Sequence, residues 1–297
     1  MDGPKADAAP AKTRELVNAY LDSTLWNGFR FRDDDIVVAS PPKAGTTWTL
    51  AILVQLLHGA PEVARVGKIC RWIDFRLDQE GRMEAVEAQT HRRVMKSHLP
   101  ADALVISPRA KYVYVARDGR DVAWSEHNHM HNATDPLFAA TNAFRPEGAK
   151  AERPSADVHA YYRDWIAGGR SMSEFWDHVR SWWAIRDQPN VYLLHYQNLQ
   201  DDLAGRIADL ARYLDIEVDA ETMARAIKHC GYAHMKANAD AMFPGMPFVE
   251  GGRTFINKGT NGRWRDVLSP EEVAEYEARA LAELGPDCAE WLATGRL

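Results

Sequence analysis

Apolar residues follow two rhythms along this chain. Short β-branched runs stand at Ile36-Val37-Val38-Ala39, Lys111-Tyr112-Val113-Tyr114-Val115 and Val191-Tyr192-Leu193-Leu194, each bounded by Asp, Pro, Arg or Asn. These predict strands, with Val94-Met95-Lys96 a weaker fourth. Between them the spacing turns helical, over Thr46 to Leu57, Gly119 to His129 and Leu203 to Leu214. In the last of these Leu203, Ile207, Leu210, Ala211 and Leu214 recur every 3.6 residues or so. Alternating strand and helix predicts an α/β fold in three layers, a central parallel sheet flanked by helices. A final helix has a marked start: Ser269 caps, Pro270 suits the first turn and Glu272 completes a capping box, while Gly285-Pro286 ends it. Residues 132–173 are long, rich in Gly, Pro, Arg and Ala, and amphipathic only around Asp157 to Ile166. Such a segment reads as a lid or binding loop.

Composition narrows the classes. The 297 residues, 46% hydrophobic and 26% charged, suit one globular domain and exclude a mainly disordered chain. A net charge of −6 supplies no global basic field for nucleic acid or an anionic membrane, so an anionic ligand needs a local basic pocket. Residues 1–12, rich in Ala, Pro and Lys, read as a frayed tail without the apolar stretch of a signal peptide. No apolar run reaches the roughly 18 to 20 residues of a membrane span. Cys70, Cys230 and Cys288 form no CxxC pair, which argues against a disulfide framework or structural zinc and for a reducing, cytoplasmic setting.

The chemistry begins after the first strand, with Ser40-Pro41-Pro42-Lys43-Ala44-Gly45-Thr46-Thr47-Trp48 and then an almost wholly apolar helix. A strand, a Gly-containing turn and a helix N-terminus present unpaired N–H groups and a positive dipole end to an anion. Lys43 adds a charge, and Thr46 and Thr47 add hydroxyls. Lys43 precedes the glycine, so the Walker spacing and its metal–nucleotide site are absent.

Pro42 to Trp48 resembles the 5′-phosphosulfate loop of the cytosolic-type sulfotransferase family, whose donor is 3′-phosphoadenosine 5′-phosphosulfate (PAPS) and whose product is adenosine 3′,5′-bisphosphate (PAP). The later elements keep the family's order. Tyr112 to Ser125 is similar to its 3′-phosphate strand and helix, which implies that Arg117 and Ser125 hold that phosphate. Phe255-Ile256-Asn257-Lys258-Gly259-Thr260-Asn261-Gly262-Arg263-Trp264 resembles its Arg-Lys-Gly-x-x-Gly-x-Trp segment, with Asn257 where Arg is usual and Arg263 where Asp is usual. Lys258 and the Gly259 backbone can still grip the phosphate, but one guanidinium fork is missing. The resemblance also implies donor contacts from Lys43, Ala44, Gly45, Thr46 and Thr47, and adenine contacts from Trp48, Tyr196 and Tyr232.

Val94 to Pro100 is similar to the family's Lys-Thr-His-x-Pro strand end. Sulfuryl transfer to a hydroxyl needs the acceptor proton removed, and His98 is the base this implies. Lys43 and Lys96 then offset charge on the transferring group, and no metal is required. His127-Asn128-His129-Met130-His131 lacks an obvious third ligand and reads as a helix near the acceptor cavity, or surface, rather than a metal site. Tyr161, Tyr162, Trp165, Trp182 and Trp183 read as core and partly as cavity wall. The expected activity is transfer from PAPS to a hydroxyl or amine of a small-molecule or glycolipid acceptor, with residues 132–173 around it. A P-loop-like nucleotide kinase and a non-catalytic nucleotide-binding module are the rival readings. The acceptor's identity and the oligomeric state are not legible; the family's dimer motif is not found around Arg265 to Ala274.

Overall fold

The computed structural model describes residues 9–59, 66–77, 79–145, 150–168 and 172–297. Five strands form one parallel sheet in the order β2-β3-β1-β4-β5: β1 (Asp35–Ala39), β2 (Arg71–Trp72), β3 (Val94–Ser97), β4 (Ala110–Ala116) and β5 (Val191–His195). All the anticipated strands form, and β2, two residues long, adds an edge that no periodicity marks. The helices used below are α1 (Thr46–His58), α2 (Gly119–His131), α3 (Asp135–Asn142), α4 (Val158–Gly168), α5 (Phe175–Ala184), α6 (Leu203–Tyr213), α7 (Ala220–Cys230) and α8 (Pro270–Thr294).

The strands are apolar on both faces because both faces are covered. Ile36, Val38, Val94, Val113, Val115 and Leu194 pack with α1, α6 and α7, and the predicted stripe Ile207, Leu210, Ala211 and Leu214 lies buried there. Val37, Ala39, Met95, Tyr112, Tyr114 and Ala116 face the other way, onto Trp165 of α4, Trp176 and Trp182 of α5 and Trp291 of α8. The alternation is the two-residue pleat of a strand read out as two separate cores. Asp35, the first residue of β1, is buried and ion-paired with buried Arg93, whose Nε donates to Asp35 Oδ1 over 2.8 Å.

Two boundaries differ from expectation. The Ser269–Glu272 capping box forms, but Gly285-Pro286 interrupts the last helix rather than ending it. Gly285 leaves helical geometry (φ 72°, ψ 171°) and the helix resumes to Thr294. Burial of Cys288, Trp291 and Leu292 supports the restart, and proline is tolerated at a helix's first turn. Within 132–173 the structure also holds α3, whose eight residues are too few to display a period. Of the expected tail, residues 1–8 lie outside the described residues, whereas Lys12 is held, donating to Ser23 O at 2.9 Å and Asn27 Oδ1 at 2.7 Å.

Candidate active site

A parallel sheet brings the C-terminal ends of its strands to one edge, and here four ends carry the predicted chemistry. In the ladder Ala39 pairs with both Ser97 and Tyr114, and Ala116 pairs with His195. The residues that follow, Ser40 to Gly45, His98, Arg117 and Tyr196, therefore emerge side by side despite lying up to 156 positions apart in the chain.

The loop after β1 is shaped by backbone conformations that L-residues seldom adopt. Lys43 sits at φ 67° and Gly45 at φ 116°, where an added Cβ would meet Tyr196 Cδ2 at 2.8 Å. Gly45 offers α1 no side-chain cap, and among the described residues the N–H groups from Gly45 to Trp48 find no backbone acceptor. Four donors and the helix dipole thus converge where an anion would sit. Thr46 Oγ1 is hydrogen bonded to Ser40 Oγ and turns inward.

Cations face these donors. Lys96 Nζ lies 3.7 Å from the Trp72 ring centroid, and Lys43 Nζ is 3.1 Å from His129 Nδ1 and 5.0 Å from the Phe255 ring centroid. Burial and then the Arg117 charge lower the Lys43 pKa to about 8, against the pull of Glu126. Burial, offset by Asp74 and reinforced by Lys43, lowers Lys96 to about 7. In both lysines burial is the larger cause, and a bound anion, which favours the charged form, would relieve it.

His98 is buried, and its Nδ1 donates to the Ser40 carbonyl at 2.6 Å. A carbonyl only accepts, so the proton is on Nδ1 and the Nε2 lone pair is available. Burial and the Lys96 charge hold its pKa well below the ordinary histidine value, which keeps the ring neutral near pH 7. Its backbone N–H donates to Asp74 Oδ2 at 3.1 Å, and Asp74 also accepts from Trp26 Nε1 and Trp72 Nε1 at 3.1 Å.

Arg117 lies over the Tyr196 ring, 4.4 Å from its centroid. It donates through Nε to Asn261 Oδ1 (2.7 Å), through Nη2 to Thr260 O (3.0 Å) and through Nη1 to Lys43 O (3.3 Å). One N–H on each terminal nitrogen is left. Ser125, the seventh residue of α2, is half-buried. Trp48 meets Tyr196 edge-on at 5.2 Å and donates Nε1 to Cys230 O at 2.8 Å, two residues before Tyr232. Tyr232 is exposed, donates to Asn257 O at 2.6 Å and crowds Gly259, where a Cβ would lie 2.4 Å from Tyr232 Cδ2. Lys258 is exposed beside it. The structure thus gathers Lys43, Lys96 and His98 in one pocket, Arg117 beside it, and Trp48, Tyr196, Tyr232, Asn257 and Gly259 along one wall.

A Sulfotransferase domain model matches residues 33–284, most of the chain. The chain belongs to the sulfotransferase family. This sulfotransferase is 28% identical over 315 residues to a glycolipid sulfotransferase of Mycobacterium bovis, covering 97% of this chain and 96% of the relative. It is 28% identical over 284 residues to sulfotransferase 1 family member D1 of Rattus norvegicus, covering 89% and 90%. The fold is shared with mouse sulfotransferase SULT7A1 complexed with PAP, at TM-score 0.71 and 19% identity over 91% of this chain and 90% of that one. It is shared too with retinol dehydratase in complex with androsterone and PAP, at TM-score 0.69 and 22% identity over 88% and 83%. The activity is that anticipated from the motifs, PAPS-dependent sulfuryl transfer, with PAPS as donor and PAP as product.

Sequence reading missed two polar residues of this sulfotransferase's pocket, Asp74 and Glu126, and read His129 only as part of a helix near the acceptor cavity, or surface. Asp74 follows the unmarked β2. Glu126 is buried, its Oε2 accepting from Trp165 Nε1 at 3.1 Å, and burial pushes its pKa to about 8. His129 lies 4.2 Å from the Phe248 ring and is held well below the usual histidine range by burial and then the Lys43 charge. His127 and His131 turn instead to the carbonyls of Ser155 and Pro154. Among the described residues no three His, Cys, Asp or Glu side chains are arranged to hold a metal ion, and no helix is long and apolar enough to cross a membrane. The i, i+3 spacing of Glu126 and His129 on α2 was the available signal.

Proposed function

We propose that this sulfotransferase carries a sulfuryl group from PAPS to a hydroxyl or amine of a small-molecule or glycolipid acceptor, with His98 as general base. The observation that carries the assignment is the bond from His98 Nδ1 to the Ser40 carbonyl. It leaves Nε2 as the accepting nitrogen and ties the base to the loop that would hold the phosphosulfate. When bound, the donor supplies the activated sulfuryl group. The Gly45 to Trp48 N–H groups and Lys43 bind its phosphosulfate, and Arg117, Ser125 and Lys258 its 3′-phosphate. Trp48, Tyr196 and Tyr232 flank the adenine. Lys43 and Lys96 offset negative charge at the reacting end, the electrostatic logic of phosphoryl transfer. His98 Nε2 takes the acceptor's proton.

The described residues among 132–173 form part of the acceptor's surroundings in this reading; 146–149 and 169–171 lie outside the described residues. Phe138 of α3 packs with Ala133 and Phe248, and Phe248 reaches His129. An apolar wall next to a basic pocket suits an aromatic or lipid-like alcohol, and the glycolipid-named relative supports that class. Three buried free thiols support a cytoplasmic setting.

The test is His98→Ala with labelled PAPS. Turnover on an aliphatic alcohol should fall by roughly 10² to 10⁴. A phenol should lose less, because it gives up its proton more readily, and PAP affinity should stay near wild type. Near-normal turnover on the alcohol, or loss of PAP binding, removes His98 as the base.

A further inference from the structure

Arg263 is a cation without a counter-ion of its own. Among the described residues its guanidinium makes no hydrogen bond or ion pair, and it lies over the Trp124 ring, 5.2 Å from the centroid. Trp124 immediately precedes Ser125 on α2. The chain that delivers Arg263 is fastened at three points. Thr260 O and Asn261 Oδ1 accept from Arg117, and Gly262 N donates to both carboxylate oxygens of Asp121 at 3.0 Å. Asn261 Nδ2 also donates to Gln197 Oε1 at 2.8 Å. Arg263 is therefore presented beside Arg117 by a braced segment rather than by a free loop.

The local charge does not balance. Asp121, buried, is 3.9 Å from Arg117 Nη2 and spends both oxygens on the Gly262 amide, so Arg117, Arg263 and Arg265 share one carboxylate. Burial weakens the hold of Arg263 on its proton, Asp121 opposes this and the Arg117 charge, a smaller effect, adds to it, which places all three groups within mutual electrostatic reach. Excess positive charge next to a hydroxyl-bearing helix face fits a phosphate. On the opposite side, where the family resemblance puts an arginine, Asn257 brings no charge and its carbonyl is taken by Tyr232. Lys258 is exposed there, and the Lys236 ammonium is spent on the carbonyls of Arg253 and Ile256.

We propose that Arg263 is the second guanidinium of the donor's 3′-phosphate site, closing on that phosphate from the α2 side with Arg117 and Ser125. Its unused donors supply the fork that Asn257 lacks, so the site keeps two arginines with one relocated across the pocket. This inference rests on the proposed placement of the 3′-phosphate at Arg117 and Ser125.

The test compares PAP with AMP, which lacks the 3′-phosphate, by calorimetry on wild type, Arg263→Gln and Arg263→Lys. Glutamine keeps a stem over Trp124 without the charge. In Arg263→Gln PAP affinity should fall by about 10- to 100-fold, the range for charge-assisted hydrogen bonds, with AMP affinity unchanged. Arg263→Lys should keep an intermediate PAP preference, as a point charge without the fork. If wild type prefers PAP and Arg263→Gln keeps the full preference, or weakens PAP and AMP equally, the role of Arg263 is refuted and the site at Arg117 stands. If wild type binds PAP and AMP equally, the placement of the 3′-phosphate falls, and this inference with it.

Discussion

Binding of PAPS should draw protons from solution, and the amount follows from two depressed lysines. With Lys43 at about 8 and Lys96 at about 7, the free protein at pH 8 has Lys43 about half neutral and Lys96 about nine-tenths neutral. A bound phosphosulfate between them favours the charged form of both, so complex formation at pH 8 should take up about 1.4 protons, against about 0.1 at pH 6. By linkage, the lysine contribution makes donor affinity about 20-fold weaker at pH 8 than at pH 6. The sign follows from the direction of the shifts: folding alone lowers these pKa values and the anion restores them, so binding weakens as pH rises through 7 to 8. Calorimetry in buffers of different ionisation enthalpy measures the uptake directly. The donor's own 3′-phosphate titrates near pH 6 and is common to every variant, so differences between variants isolate the lysines. At pH 8 Lys96→Met should remove about 0.9 proton of uptake. Lys43→Met should remove at least about half a proton, since its loss also relieves Lys96. Uptake near zero at pH 8, or uptake that neither substitution changes, would refute the depressed lysines and their contact with the bound anion.

PAP at about 100 times its dissociation constant should stabilise the fold by roughly 2.7 kcal/mol and raise the melting temperature by several degrees, with AMP giving much less; equal shifts would remove the 3′-phosphate site. Asp35→Ala leaves Arg93 buried without its partner and should cost about 3 to 5 kcal/mol in urea unfolding, whereas a loss below about 1 kcal/mol would mean that the guanidinium finds water. Buried His178, lowered to about 3, adds protons only on unfolding once the pH falls below about 6.5, so its contribution is complete above that value and declines beneath it. His178→Gln should therefore reduce the stability lost between pH 7 and pH 5 by about 2 kcal/mol, measured from paired urea curves, and an unchanged loss would place the titration elsewhere.

What could be read from the chain was what is local. The strands, α1, α2, α6 and the Ser269 cap announced themselves by period and cap chemistry, and the phosphosulfate loop by strand, turn and helix in succession. The pairing of Asp74 with the His98 amide was not legible, because it depends on β2 lying beside β3, and two residues carry no period. Glu126 and His129 matter only because α2 crosses over Lys43, which depends on the order β2-β3-β1-β4-β5 rather than on their own neighbours in sequence. Arg263 stood out in the sequence as an exception to a pattern. Its unpaired state beside Arg117 required the folding of residues 260 to 262 around that arginine.

Lys43, with its left-handed backbone, answers to two masters. A side chain at φ 67° costs roughly 1 to 2 kcal/mol relative to glycine, and asparagine would also sit there more comfortably. Neither brings a positive charge to the pocket. Under selection for folding alone this codon would drift toward Gly or Asn, and the resulting proteins would melt later while the pocket lost a cation. A library screened first for thermostability would therefore enrich inactive chains at this position, and an alanine variant, which keeps the strain but removes the charge, is the comparison that separates the two pressures.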